Sequence, residues 1–325
     1  MNARLLSTGG ALAALLLAVG LQRGGAESLE PSQEEGARDT TSPGEDVDPA
    51  AYLGFPPPGL TPEVFAPDVL SLEDRYEYGC ALSRDGHEIY FGVAGEDRAE
   101  IRRVLHSDGE WSDDEPLLPG ATFSFNDPFL SKGEDRLYFI SDAAVNGEER
   151  KRDHDIWFVE RTEDGWSSPV HGGAPLNTTF EEYFVSLTDD GTLYFASNRP
   201  IEEGAGGGGG FDLYAAPPAA DSFGSPQRLS SAVNTAHYEA DVFVAPDASY
   251  LIVCATRPDG LGRGDLYISF RRPDGDWSTA RSMGDAINTE GHELCPFVTR
   301  DGKYFFYTCN EDIYWVDAAL LESYR

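Results

Sequence analysis

Thr188-Asp189-Asp190-Gly191-Thr192-Leu193-Tyr194-Phe195 decides the fold, because it joins a turn pair to an aromatic-rich run and recurs along the chain. The same phrase stands at Ser83 to Phe91 (SRDGHEIYF), Ser131 to Phe139 (SKGEDRLYF), Ala245 to Val253 (APDASYLIV) and Thr299 to Tyr307 (TRDGKYFFY). Asp-Gly between apolar runs predicts a hairpin with a tight primed turn, which needs positive φ that glycine adopts without a steric penalty. A third segment follows each hairpin. It opens on an acid and an aliphatic-aromatic pair at Asp155-Ile156-Trp157, Asp212-Leu213-Tyr214, Asp265-Leu266-Tyr267 and Asp312-Ile313-Tyr314, and departs from this only at Glu100-Ile101-Arg102. A fourth begins near Trp111, Trp166, Phe223 and Trp277, and the last three of these stand eleven residues before Asn177-Thr178, Asn234-Thr235 and Asn288-Thr289. Four strands per unit, repeated in series, predict the blades of a β-propeller.

The termini give an independent check. After Asp312-Ile313-Tyr314 the sequence ends at Arg325 without a fourth-strand segment, so the last blade is one strand short. Residues 63–71, which include Val64-Phe65-Ala66-Pro67-Asp68-Val69-Leu70-Ser71, hold the phase of a fourth strand ahead of the first hairpin. Pairing them with the C-terminal blade would close the ring and cover an edge that otherwise templates aggregation. The expected fold is all-β: a five-bladed propeller over 61–325, with blades at about 77–125, 126–180, 181–237, 238–291 and 292–325 plus 63–71. A sixth blade would have to draw on the Pro-rich segment 51–62, which carries no hairpin phrase.

Composition agrees with this and removes whole classes of function. The chain has 325 residues, with 35 Gly, 21 Pro, 12% aromatic residues and only 2 Met, which suits a turn-rich β protein better than a helical bundle. Lys and Arg total 24 against 57 Asp and Glu, a formal net charge of -33. Such a balance repels phosphate, so nucleic acid and anionic membrane surfaces are excluded as partners. Residues 1–26 combine Arg4, an apolar run from Gly10 to Leu21 and a small-residue exit, the pattern of a secretory signal peptide too short to span a bilayer. Residues 27–60 are Pro-rich, acidic and poor in large apolar side chains, which predicts a disordered linker. The expected product is a secreted or periplasmic monomer with no membrane span after signal removal.

The phrases SRDGHEIYF, TDDGTLYFASNRP, SYLIVCATRPDGLGRGDLYIS and TRDGKYFFY resemble the WD40-like propeller repeats of the TolB family and of many exported bacterial proteins. The resemblance covers about residues 60–325 and implies a fold. On activity it is nearly silent, because the repeat serves binding scaffolds, cell-envelope proteins and some carbohydrate-active enzymes.

Candidate site residues follow from the pseudo-symmetry. Glu77, Glu182, Glu239 and Glu293 stand at one phase ahead of the inner strands, and Asn126 and Asp127 are the nearest equivalents in the second blade. They are expected to ring one mouth of the central channel, where carboxylates can hold Ca²⁺ or grip sugar hydroxyls. The competing structural account has each Glu accept hydrogen bonds from its own Asn-Thr connection and tie blades together. Departures from the repeat are better functional candidates: Asn126 and Asp127, and His292 and His237 beside the same mouth. The insert 142–154 gathers Arg150, Lys151 and Arg152 and would be a solvated loop or an anion contact, whereas the glycine run 204–210 lacks the ending of a phosphate-binding loop. Cys80, Cys254, Cys295 and Cys309 fit no zinc spacing, and a Cys80–Cys295 disulfide across the ring closure is one expectation, buried free thiols the other. Trp111, Trp166 and Trp277 share a phase and are expected to pack between blades. No cofactor is required and no catalytic triad motif is present. The expected function is a non-enzymatic binding or scaffold protein that takes a ligand, a glycan or a protein partner, at one channel mouth. The alternative is a carbohydrate-active hydrolase or lyase that uses channel carboxylates.

Overall fold

The structure, a computed structural model, describes residues 51–325 apart from 146–149, 202–209 and 221. The expected signal segment, most of the linker and nearly all of the glycine run lie outside the described residues. Five antiparallel sheets follow one another along the chain. Their inner strands are Glu77–Leu82, Phe125–Leu130, Glu182–Leu187, Tyr238–Val244 and Glu293–Val298, and each touches the next, the last returning to the first. The protein is a five-bladed β-propeller.

Closure occurs where the chain termini meet. Glu63–Val64 is the outermost strand of blade 5 and pairs antiparallel with Asp312–Asp317, Glu63 opposite Trp315 and Val64 opposite Tyr314. The N–H of Phe65 extends the ladder by donating to the Ile313 carbonyl at 2.8 Å. Phe65 is fully buried, with ring centroids 5.2 Å from Phe306 and 4.9 Å from Trp315. Part of the expected linker 27–60 is among the described residues and packs on the propeller. Ala51 and Tyr52 are buried, the Tyr52 N–H donates to the Gly86 carbonyl at 3.1 Å, and its ring packs edge-on against Tyr304. A single aromatic anchor thus offsets the polar, Pro-rich composition around it.

The hairpins form as expected, but their loops are longer than a two-residue turn. Ser83 donates its N–H to Glu88 and Thr188 to Thr192, enclosing four and three residues, with Gly86 and Gly191 at φ of 72° and 87°. The hydroxyl at the head of the phrase donates to the aspartate of the turn, Ser83 to Asp85 and Thr188 to Asp190 at 2.6 Å each. These bonds favour a wider turn than Asp-Gly alone suggests. The insert also differs from a plain loop: Arg150–Thr162 is one long strand, Arg150 bonds Asp142 at 2.7 Å, and Lys151 is paired with Asp153 and Asp155. Trp166 and Trp277 pack on Tyr90 and Tyr194 of the preceding blades, at 6.0 and 6.4 Å between centroids. No helix among the described residues is long and apolar enough to cross a membrane.

Every inner strand carries one extra residue relative to its partner. The register slips between Tyr78 and Cys80, Asn126 and Phe129, Tyr183 and Ser186, Ala240 and Val242, and Leu294 and Phe297. The bulged positions Gly79, Asp127, Phe184, Asp241 and Cys295 all have φ between 47° and 53°. A bulge re-aims a side chain that regular alternation would send into the blade.

Candidate functional site

Three of the five bulged residues meet on the propeller axis. The Cys295 thiol lies 3.7 Å from Asp127 Oδ1 and 3.9 Å from Asp241 Oδ2, and the Cys295 N–H donates to Asp241 at 3.2 Å. Blade 5 does not adjoin blade 2 in the ring, so this contact is made across the channel. Gly79, the bulge of blade 1, leaves the room: a Cβ there would stand 3.4 Å from Asp127 Oδ1 and 3.5 Å from the Cys295 sulfur. Asp127 is 8% exposed and Cys295 is 2% exposed. Among the described residues the thiol is the only hydrogen-bond partner of Asp127, and neither Asp127 nor Asp241 has a Lys or Arg partner. Burial pushes both carboxyls up, Asp241 adds its charge against Asp127, and the pair takes up protons at about 8 and about 6, values that belong to the pair. Burial, then the charges of both aspartates, pushes the Cys295 thiol up as well.

Tyrosines surround this cluster on the side where the inner strands begin. Tyr78 donates to Asn126 Oδ1 at 2.5 Å, and its ring stands 5.5 Å from that of Tyr76. Tyr183, Phe211 and Tyr238 form an edge-to-face series at 5.6 and 5.4 Å. The Tyr183 hydroxyl is 3.0 Å from His154 Nδ1, which also meets Glu181 at 2.9 Å. Burial first, then the charge of Asp127 among others, raises all four phenols of Tyr76, Tyr78, Tyr183 and Tyr238. Their hydroxyls therefore stay protonated and can donate. Tyr78, Asn126, Tyr183, Tyr238 and Asp241 around the axis are half-buried. At the opposite end Leu82, Leu130, Leu187, Phe243 and Phe297 line the channel with apolar surface.

The four glutamates occupy a different place. Each is fully buried. The Thr178 N–H and hydroxyl donate to the Glu182 carboxylate at 2.9 and 2.6 Å, Thr235 to Glu239 at 3.0 and 2.5 Å, and Thr289 to Glu293 at 3.1 and 2.6 Å. Arg199 and Arg257 pair with Glu182 and Glu239 at 3.0 and 3.3 Å, while Glu77 takes Arg75 in place of a threonine. The asparagine ahead of each threonine reaches the opposite way: Asn234 Oδ1 accepts from the Leu213 N–H at 2.7 Å and its Nδ2 donates to the Leu213 carbonyl at 3.0 Å. Asn177 and Asn288 bind Ile156 and Leu266 in the same manner. The Asn-Thr pair therefore bolts the third strand of one blade to the inner strand of the next, which is why its spacing is constant.

Blade 2 departs further than the sequence indicated. Phe125, not Asn126 or Asp127, pairs with Ser141 in the register where Glu182 pairs with Ser197. Its carboxylate is supplied instead by Asp142, which accepts from the Ser124 N–H at 2.7 Å and from Arg150. His292 lies against Gly264 and the Cys254 sulfur, 3.8 Å from its Nε2, and His237 is exposed. All four cysteines are free. The Cys80–Cys295 bond is not formed because the bulge turns Cys295 to the axis, whereas Cys80, one step past its own bulge, joins the hydrophobic core. Among the described residues no group of three or more His, Cys, Asp or Glu is placed to hold a metal ion.

Of the sequence candidates, Asp127 and Cys295 come together at the axis, Asn126 bonds Tyr78 beside them, and Glu77, Glu182, Glu239, His292 and Glu293 lie elsewhere. Asp241 and the tyrosines were missed. A signal existed: Asp241 stands two residues after Glu239, the same step that separates Cys295 from Glu293.

No family model matches the chain, and no curated protein does. Solved structures do. TolB from Acinetobacter baumannii is 16% identical with a TM-score of 0.47, over 74% of this chain and 54% of its own, so the chain spans about half of that relative. A TolB assigned to Agrobacterium tumefaciens is 16% identical with a TM-score of 0.47, over 72% and 70%. A thermostable family-43 glycoside hydrolase is 12% identical with a TM-score of 0.50, over 75% and 89%. At these identities the likeness is one of fold. The chain is a five-bladed β-propeller, and what it shares with these structures is that fold.

Proposed function

We propose that the protein is an exported binding or scaffold propeller that takes its ligand or partner at the tyrosine-walled mouth of the channel. The observation that carries this is the convergence of Asp127, Asp241 and Cys295 on the axis, since these residues break the repeat at the point where side chains of several blades meet. A structural brace repeats from blade to blade, as the glutamates do, whereas a recognition site is assembled from residues that differ between blades. Stacked tyrosines with an amide and carboxyls beneath them suit a ligand with one apolar face and several polar groups, such as a glycan or a peptide. Export rests on the signal-like N-terminus. Glycan and peptide arrays probed with the full chain and with Tyr183→Ala test the proposal. Binding by the parent and its loss in a variant that keeps its melting temperature are expected; equal binding by both would overturn it.

The coupled aspartates favour a second reading, a carbohydrate-active hydrolase. Two carboxyls that meet one thiol on the axis supply the residue types an acid and a base need. Hydrolysis of a chromogenic glycoside panel that disappears in both Asp127→Asn and Asp241→Asn would support it over simple binding.

A further inference from the structure

We propose that the axial site binds an organic ammonium group, with Asp127 and Asp241 as its counter-charges and the tyrosine rings as its walls. This deepens the ligand site proposed above and rests on it. Among the described residues the chain places two carboxylates on the axis and gives them no cation, only the Cys295 N–H on Asp241 and the thiol between them, whereas Glu182, Asp142 and Asp155 each face a Lys or Arg. Glu182 has Thr178 and Arg199, Asp142 has Ser124 and Arg150, Asp155 has Lys151. Asp127, more than nine-tenths buried, has only a thiol at 3.7 Å, a poor donor at a long distance. A carboxyl buried this way stays neutral by holding a proton, or ionises when a positive charge arrives beside it. The partner we assign to the ionised form is a ligand cation.

The surroundings select among cations. Ca²⁺ or Mg²⁺ needs six or more oxygen ligands, and no metal-holding cluster is present among the described residues. The half-buried Tyr78, Tyr183 and Tyr238 instead present aromatic surface, which attracts an ammonium through the ring quadrupole and packs against its alkyl stem. Phenol oxygens and Asn126 add acceptors for N–H groups. Phe243 and Phe297, ring centroids 6.0 Å apart, make the far end apolar, and with the Cys295 thiol within 4 Å of both Asp127 and Asp241 the axial space suits only the tip of a thin chain. A primary alkylammonium has this shape. It comes from a lysine side chain on a partner protein or from a free diamine, and the net charge of -33 draws either one in.

Isothermal titration of the full chain at about pH 8.5, where the carboxyls are ionised, tests this with four probes. The probes are acetyl-lysine methylamide with its free side-chain amine, putrescine, the neutral isostere acetyl-norleucine methylamide, and CaCl₂. Binding of an amine, absent for norleucine and weakened about tenfold or more in the Asp127→Asn/Asp241→Asn double variant, is expected. Preference for the lysine probe over putrescine assigns the source to a polypeptide, and the reverse to a small amine. Tyr183→Leu should weaken the amine while leaving the carboxyls in place, which keeps the test decisive if the double variant misfolds. Equal binding of norleucine, binding of calcium alone, or an amine affinity indifferent to the substitutions would overturn the inference. If the amines fail but a neutral glycan or peptide binds and is lost in Tyr183→Ala, the mouth remains the ligand site and only its cation preference falls. If no probe and no array ligand depends on these residues, the mouth proposal falls with it.

Discussion

Glu239 and Asp127 are both buried acids, and their environments give them opposite consequences for stability. Glu239 accepts two bonds from Thr235 and faces Arg257, whose side chain is 8% exposed. Replacing it by Gln leaves that guanidinium buried without a counter-charge, so Glu239→Gln should lose about 3 kcal/mol in urea unfolding. Ligand binding should not change. Asp127 is costly to the fold. Its carboxyl is raised by burial, so the folded state holds a proton that the unfolded state releases near the ordinary carboxylate value of about 4. The stability tied to Asp127 and Asp241 is thus fully present below about pH 4 and is lost as pH rises through about 6 and about 8. Asp127→Asn should raise the unfolding free energy at pH 8 by on the order of 1–3 kcal/mol, and the melting temperature with it, and flatten the pH dependence between 4 and 8. A melting series in which the variant runs parallel to the parent would show that the pair is not titrating there. A residue that lowers stability and is still present fits a binding role.

At the scale of the element, two short segments do more than their length suggests. The strand Glu63–Val64 adds only two residues to blade 5, and its grip depends on Phe65, wedged between Phe306 and Trp315. Phe65→Ala should cost about 3–5 kcal/mol and uncover the edge of Asp312–Asp317. Light scattering on heating should then show aggregation at a lower temperature than for the parent. The Asn-Thr bolt is the second such segment. Its side chains satisfy backbone groups of one blade and a carboxylate of the next, so its spacing stays fixed while the loops around it vary. The hairpin phrases were legible because turn chemistry is local. The inner-strand bulges were not, since one added residue in a strand leaves composition and hydrophobicity unchanged while it reverses which side chains face the axis.

For the whole molecule the dominant long-range term is charge. A net charge of -33 makes the compact state repel itself, and salt at about 0.1 M screens that repulsion beyond about 10 Å. Raising NaCl from about 0.01 M to about 0.5 M should therefore increase the melting temperature, as differential scanning calorimetry would register. No change, or a decrease, would mean that internal ion pairs such as Arg102–Asp114 and Arg161–Glu88 outweigh the net repulsion. The same field favours approach of cations to the open mouth, so association there should slow as salt is added.

The blade count, the strand order within each blade and the closing role of the N-terminal segment were determined by sequence alone, because each follows from short-range patterns repeated five times. The role of the glutamates was half legible: their constant offset from Asn-Thr suggested a brace, while only the hydrogen bonds at Thr178, Thr235 and Thr289 decided it. The axial site was decided by tertiary structure. Asp127, Asp241 and Cys295 lie far apart in the chain and share no residue type with Gly79 and Phe184 at the same phase. They meet because five bulges turn the same backbone position inward and the ring brings those positions to a common axis, a convergence that no local pattern encodes.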